Sequence, residues 1–381
     1  MSTVAHRIRT VKEYYFSRKL KEVRALIEEG RPVINLGIGS PDLPPPPQVV
    51  KALNQSLSHP TAHRYQSYQG LPELREAISG FYQNHYGVTL DPHSEILPLI
   101  GSKEGIMHIS MAYLNEGDAV LIPNPGYPTY SAVAKLLGAT PLFYDMNQES
   151  QWQPNLNSLA QKDLSKVKLM WINYPHMPTG AQASKSHIKA LIQFAKAHDI
   201  LLVNDNPYSF ILNDNPTSIF NFEGAKAVCL ELNSLSKTFN MSGWRVGMLS
   251  GAANHINNVI KVKSNMDSGM FYGIQIGAIE ALKLSKDWFT HLNSIYEKRR
   301  HLVWKLATQL NCEFDTASCG MFVWAKLPNG TKSEQFTDQL LYEKNIFIAP
   351  GTIFGSNGNG YIRFSLCATE QSINEAINRT L

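Results

Sequence analysis

Between residues 70 and 250, seven short apolar runs interrupt stretches with helical spacing, and this alternation constrains the fold more than any other feature. The runs are EILPLI, AVLIP, PLFYD, KLMWI, ILLVN, AVCLEL and VGMLSG. Each is too short for a helix and lacks a regular polar face, so each predicts a strand buried on both sides. Such strands alternating with helices predict an α/β fold: a mostly parallel seven-stranded sheet covered by helices.

The pattern changes after residue 285. A charged amphipathic stretch, SKDWFTHLNSIYEKRRHLVWKLATQL, leads into GMFVWAKL, more helix and a final YIRFSL, which together predict a smaller α+β domain. Upstream, residues 8–29 predict one helix ending at Gly30, and Pro44–Pro47 predict extended chain before a helix from about Gln48. The expected organisation is an N-terminal segment 1–45 packing with the small domain, a large domain 46–284 and a small domain 285–381.

Composition narrows the function classes. The 381 residues are 43% hydrophobic and 17% charged, ordinary values for a globular chain with a sizeable core. A net charge of +4 and no run of five or more basic residues argue against a nucleic-acid surface. No 18-residue apolar stretch predicts a membrane span, and the N-terminus lacks the apolar core of a signal peptide. Cys229, Cys312, Cys319 and Cys367 are not spaced as CxxC, so neither a zinc site, nor any other metal, nor a disulfide framework is expected. The chain reads as cytoplasmic.

Ligands of open α/β sheets collect beyond the carboxyl ends of the strands. There this sequence places GSKEG, NPGYPTY, NYPHMPTG, DNPY and NSLSKTFNMSGWRVG. The prolines and glycine of NYPHMPTG suffice for a turn that merely ends a strand. The last segment is harder to read as a plain loop. Lys237 is preceded by Ser234 and Ser236 and followed by Arg245, so two hydroxyls and a guanidinium around one amine could hold a phosphate. A lysine near other cations favours its neutral amine and can form a Schiff base. A phosphate anchor beside such a lysine is what pyridoxal phosphate requires. Asp205 would hold that cofactor's ring nitrogen and Tyr208 its phenolic oxygen, although helix capping and packing explain the two residues as well. The backbone N–H groups of Ser102 and Lys103 open a helix towards an anion, and Tyr127 is placed to stack on a ring.

With these segments in view the chain resembles the class I/II aminotransferases of the aspartate-aminotransferase superfamily (fold type I) nearly end to end. GIGSPD, RYQSYQGLPELREAI, GSKEG, NYPHMPTG, DNPY, SLSKTFNMSGWRVG and GYIRFSL match its motifs in order. The resemblance implies a pyridoxal-phosphate enzyme exchanging amino groups between α-amino acids and 2-oxo acids, with Lys237 as the Schiff-base lysine that moves the α-proton. It implies phosphate ligands at Gly101, Ser102, Lys103, Ser234, Ser236 and Arg245, and a ring held by Asp205, Tyr208 and Tyr127. It implies Arg363 on the substrate α-carboxylate with the Gly39 loop closing over it. Tyr65 would reach the phosphate of a neighbouring subunit, making a homodimer with shared active sites. Tyr14, Tyr15 and Phe16 could line an apolar pocket, and the preferred amino acid is left open.

One position departs from the family pattern N-x-P-x-N-P-T-G. Met177 stands where an asparagine donates to the cofactor's phenolic oxygen, and a thioether cannot donate. Either Tyr208 carries that oxygen alone, or His176 or a water replaces the amide, or the site is tuned differently. The altered electron sink keeps a carbon–sulfur β-lyase as the alternative reaction. A transcription-factor sensor domain is disfavoured, because the roughly 30 residues before INLGIG leave no room for a DNA-binding domain.

Overall fold

A computed structural model describes residues 3–381. The strands are β1 (Ile34–Asn35), β2 (Ile96–Leu99), β3 (Ala119–Asn124), β4 (Thr140–Asp145), β5 (Val167–Ile172), β6 (Leu201–Asp205) and β7 (Cys229–Ser234). They continue with β8 (Gly247–Gly251), β9 (Glu313–Phe314), β10 (Phe322–Lys326), β11 (Ile346–Phe347), β12 (Ala349–Pro350) and β13 (Tyr361–Ser365). All seven apolar runs are strands of one sheet, in the order β2-β8-β7-β6-β5-β3-β4. β3 to β7 run parallel and β8 is antiparallel to both of its neighbours.

The burial pattern explains why the runs are continuous in apolar character. Met170 and Ile172 of β5 pack into one core layer while Leu169 and Trp171 pack into the other. Neighbouring β6 divides likewise, with Leu202 on the first side and Leu201 and Val203 on the second. Burying each such side chain stabilises the fold by roughly 1.5–3 kcal/mol, which fixes both register and facing. The edge strand β4 departs from this, and its Phe143 is exposed.

A second sheet, ordered β12-β13-β10-β9, is antiparallel and contains the runs FVWAK and YIRFS. β1 pairs parallel with β11, Ile34 opposite Ile346, which ties the N-terminal segment to this part of the chain. Among the described residues no helix is long and apolar enough to cross a membrane.

The N-terminal helix differs from its expectation. A 3-10 turn at His6–Thr10 is followed by extended chain, and the α-helix α1 covers only Tyr15–Glu28. Tyr14 leaves helical geometry (φ −55°, ψ 129°), and the break delivers its ring to the cavity described below. Gly30 closes the helix as predicted at φ +86°, its N–H bonded to the Ile27 carbonyl. The proline run ends where helix α2 (Pro47–Ser56) begins, with proline at its first position, and helix α3 (Pro72–Tyr86) leads on to β2.

Candidate active site

The carboxyl ends of β2, β3, β5, β6 and β7 open onto a cavity of about 510 Å³. Because β8 runs antiparallel, Arg245, just before it, lies at the same edge as Lys237, just after β7. Gly247 lets the Gly101–Ser102 backbone pack against the start of β8, since a β-carbon there would lie 2.5 Å from the Ser102 backbone nitrogen. Lys237, Asp205, Tyr208, Tyr127, Ser102, Lys103, Ser234, Ser236, Arg245, Met177, Gly39 and Arg363 all line the cavity. Gly101 caps the following helix α4 (Ser102–Tyr113) at φ +81° and lies against Arg245: a β-carbon there would come within 2.2 Å of Nη2. Tyr65 is not brought in; it is 89% exposed.

Four cationic side chains, Lys103, Lys237, Arg245 and Arg363, face a single carboxylate, Asp205, across this lining. Lys237 donates to the Gly39 carbonyl, and burial, reinforced by Arg363 and Arg245, lowers its pKa to about 8. Lys103 is also lowered by burial and by Arg245, and its ammonium sits 4.6 Å over the Tyr14 ring. Arg245 donates to the Ser242 carbonyl at 2.8 Å and reaches the Ser236 hydroxyl at 3.5 Å. Ser234 accepts from the Ser236 backbone N–H, so the serines are oriented by the turn they build.

Arg363 lies on β13 opposite Trp324 and Ala349 and is buried among Phe322, Phe354 and Phe16, with ring centroids at 3.9, 4.7 and 5.5 Å. Its Nη2 donates to the Gly37 carbonyl at 2.8 Å, and burial lowers its pKa to about 10. Strand alternation alone left Arg363 free to face outwards; the pairing turns it in. Gly39 is tight against the same aromatic, because a β-carbon there would lie 2.3 Å from Phe322.

Asp205 is buried, and burial raises its pKa to about 6 against the lowering by Tyr130. Tyr130 donates to Oδ2 at 2.8 Å, while Oδ1 is buried without a partner among the described residues. Burial raises the Tyr208 and Tyr127 hydroxyls.

NYPHMPTG is a turn organised from behind. Asn173 accepts from the Met177 N–H at 2.7 Å and donates to the Asp205 carbonyl, so the floor of β5 is sewn to that of β6. Gly180, at φ +75°, lies against the Cys319 carbonyl, which a β-carbon would approach to 2.6 Å. His176 is buried away from the cavity, its Nδ1 2.8 Å from Thr179 Oγ1, and burial lowers its pKa to about 3. It is therefore no stand-in for the missing amide. Behind the turn stands Glu231, which the sequence reading left unmarked. Fully buried, it accepts from Tyr82, Ser218 and Asn204 side chains and the Ile219 N–H at 2.8–3.0 Å. Asn204 in turn accepts from the Tyr174 N–H.

The sequence reading also missed Tyr130 and understated α1. Tyr14 and Phe16 line the cavity, with Leu20 beyond them, whereas Tyr15 does not. The signal for Tyr130 was its spacing from Tyr127, one helical turn at the start of helix α5 (Pro128–Leu136).

The aminotransferase class I and II pattern matches residues 31–379. The chain is 40% identical over 377 residues to an LL-diaminopimelate aminotransferase of Halothermothrix orenii, covering 98% of this chain and 97% of that one. A protein of the same name from Aquifex aeolicus is 37% identical over 381 residues, covering 100% and 98%. Among solved structures, apo-BacF of Bacillus subtilis superposes with a TM-score of 0.95 at 35% identity, covering 100% of this chain and 98% of that one. The chain belongs to the class I and II aminotransferases and has the fold type I architecture. It is a pyridoxal-phosphate-dependent enzyme that transfers an amino group from an α-amino acid to a 2-oxo acid.

The cavity fits that cofactor on its own terms. It offers a partnerless buried carboxylate oxygen for a ring N–H, an amine of lowered pKa, and a helix N-terminus beside a guanidinium for a phosphate.

Proposed function

We propose that Lys237, Asp205 and Arg363 divide the transfer among themselves, and that LL-diaminopimelate is the amino donor. The observation that carries the division is that three separate parts of the chain bring these residues to one cavity. Pyridoxal phosphate, when bound, supplies the sink for the electron pair left at the substrate α-carbon. Lys237, its pKa lowered by burial to about 8, gives up its proton more readily than a free lysine, and its neutral amine is able to bond an aldehyde carbon and to take the α-proton. Asp205 holds the ring nitrogen through Oδ1, and the Tyr208 hydroxyl donates to the phenolic oxygen. Tyr127 covers the ring face, with Met177 at the floor. The N–H groups following Gly101, at Ser102 and Lys103, hold the phosphate with Ser234, Ser236 and Arg245. Arg363 binds the α-carboxylate with both Nη atoms, beside the Gly39 turn.

The exposure of Tyr65 suits a residue that completes a neighbouring subunit's phosphate site, so we read the active unit as a homodimer. Mixing Lys237→Ala with Tyr65→Ala protein would then restore activity in hybrids, and no recovery would overturn the shared site. We further take the chain to divide near residues 45 and 284. Four free cysteines fit a cytoplasmic setting.

The donor is read from the relatives of 37–40% identity that carry that name across their length. A second reading has a specific support. Tyr14, Phe16, Leu20 and Phe354 make an apolar wall, which suits an aromatic donor. The test offers the reconstituted enzyme LL-diaminopimelate, aspartate, methionine or phenylalanine with 2-oxoglutarate and follows glutamate formation. LL-diaminopimelate should be fastest; turnover of phenylalanine alone would replace the first reading by the second.

A further inference from the structure

The contact between Tyr130 and Asp205 belongs to a larger arrangement. Tyr130 is buried at the first turn of α5, and its ring stacks on Trp171 at 4.8 Å with planes 6° apart. Its edge meets the Tyr127 ring at 5.5 Å and 86°. Trp171, on β5, is itself fully enclosed by the sheet layer. The Tyr130 hydroxyl is thus fixed in space before it meets Asp205, and its hydrogen bond goes to one carboxylate oxygen only. The other oxygen, Oδ1, is left buried without a partner among the described residues.

We propose that Tyr130 is a positioning residue that fixes the proton on the cofactor's ring nitrogen by orienting and electronically biasing Asp205. This rests on the reading that Asp205 Oδ1 meets that nitrogen. A carboxylate that accepts a hydrogen bond at Oδ2 is a weaker base at Oδ1, so the shared proton stays on the ring. The rigid stack also prevents rotation of the carboxylate, which would exchange the two oxygens. Tyr127, seated edge-on against the same ring, is registered to the carboxylate by one residue.

Tyr130→Phe keeps the stack and removes only the hydroxyl, so it separates the electronic role from packing. The measurement is the 15N resonance of pyridoxal phosphate labelled at the ring nitrogen, bound to the parent protein and to Tyr130→Phe. The parent resonance should be that of a protonated ring. In Tyr130→Phe it should move towards the neutral-ring position, with cofactor affinity weaker on the order of tenfold. An unchanged resonance and unchanged affinity in Tyr130→Phe would overturn the proposal while leaving the Asp205 assignment standing. A neutral-ring resonance already in the parent protein would overturn the Asp205 assignment itself. An affinity loss with an unmoved resonance would reduce Tyr130 to a packing residue and so also overturn it.

Discussion

The Arg363 guanidinium donates through Nη1 to the Met177 thioether at 3.3 Å, while Nη2 donates to the Gly37 carbonyl. Sulfur is a weak acceptor and no donor, so this pairing places a poor partner beside the residue assigned to the substrate carboxylate.

Met177→Asn should therefore change how the bound cofactor titrates. An amide would donate to the cofactor's phenolic oxygen and drain charge from it, loosening the proton that the oxygen shares with the neighbouring imine nitrogen. The pH midpoint of the visible absorbance should fall by about 1–2 units, the equivalent of one hydrogen bond of about 1.5–3 kcal/mol to a charged acceptor. A spectrophotometric titration that returned the same midpoint for both proteins would remove Met177 as a tuning residue.

Lys237 and Asp205 should be costly to the fold before cofactor is added. The lysine pKa is depressed to about 8, so the unfolded chain binds the extra proton between that pH and 10.5. Its cost is full below pH 8 and vanishes as pH rises to 10.5. The Asp205 pKa is raised to about 6, so its cost is absent below pH 3.8 and full above pH 6. At pH 7, Lys237→Met and Asp205→Asn should each stabilise the cofactor-free protein by up to about 2–3 kcal/mol. Thermal melts at pH 7 and pH 10 provide the check: only the lysine variant should lose its advantage at the higher pH.

Arg363→Lys keeps the charge and loses the planar fork. Its three aromatic neighbours also lose a flat partner. The expected fall in kcat/KM is on the order of a hundredfold, expressed mainly in KM for both amino and oxo acids. Steady-state kinetics within threefold of the parent would show that another group holds the carboxylate.

Gly101→Ala tests the phosphate corner. The new methyl would collide with Arg245, and the φ of +81° adds about 1–2 kcal/mol of backbone strain. Cofactor affinity should fall by about tenfold, with the displaced guanidinium as the cause. Equilibrium dialysis measures it, and unchanged affinity would place the phosphate elsewhere.

How much of this could be read from sequence depends on the range of the interaction involved. The large sheet was legible because burial on both faces writes itself locally, as in KLMWI, where successive residues enter opposite core layers. The placement of Lys237, Asp205 and Tyr208 at the cavity was legible because each lies at, or within three residues of, the carboxyl end of its strand. Tyr130 and Glu231 were not. Their partners lie on other strands and loops, and a glutamate in AVCLEL looks like any strand residue facing water. The single helix expected over residues 8–29 failed for a related reason: helical spacing continues through Tyr14, and only the cavity that receives its ring explains the break.

The turn containing Gly37 and Gly39 gives one carbonyl to Arg363 and another to Lys237. Each cation thus already has one partner in the protein's own backbone. Admitting a carboxylate and an aldehyde is then an exchange of partners, so measured affinities report a difference between two sets of bonds and understate the strength of each.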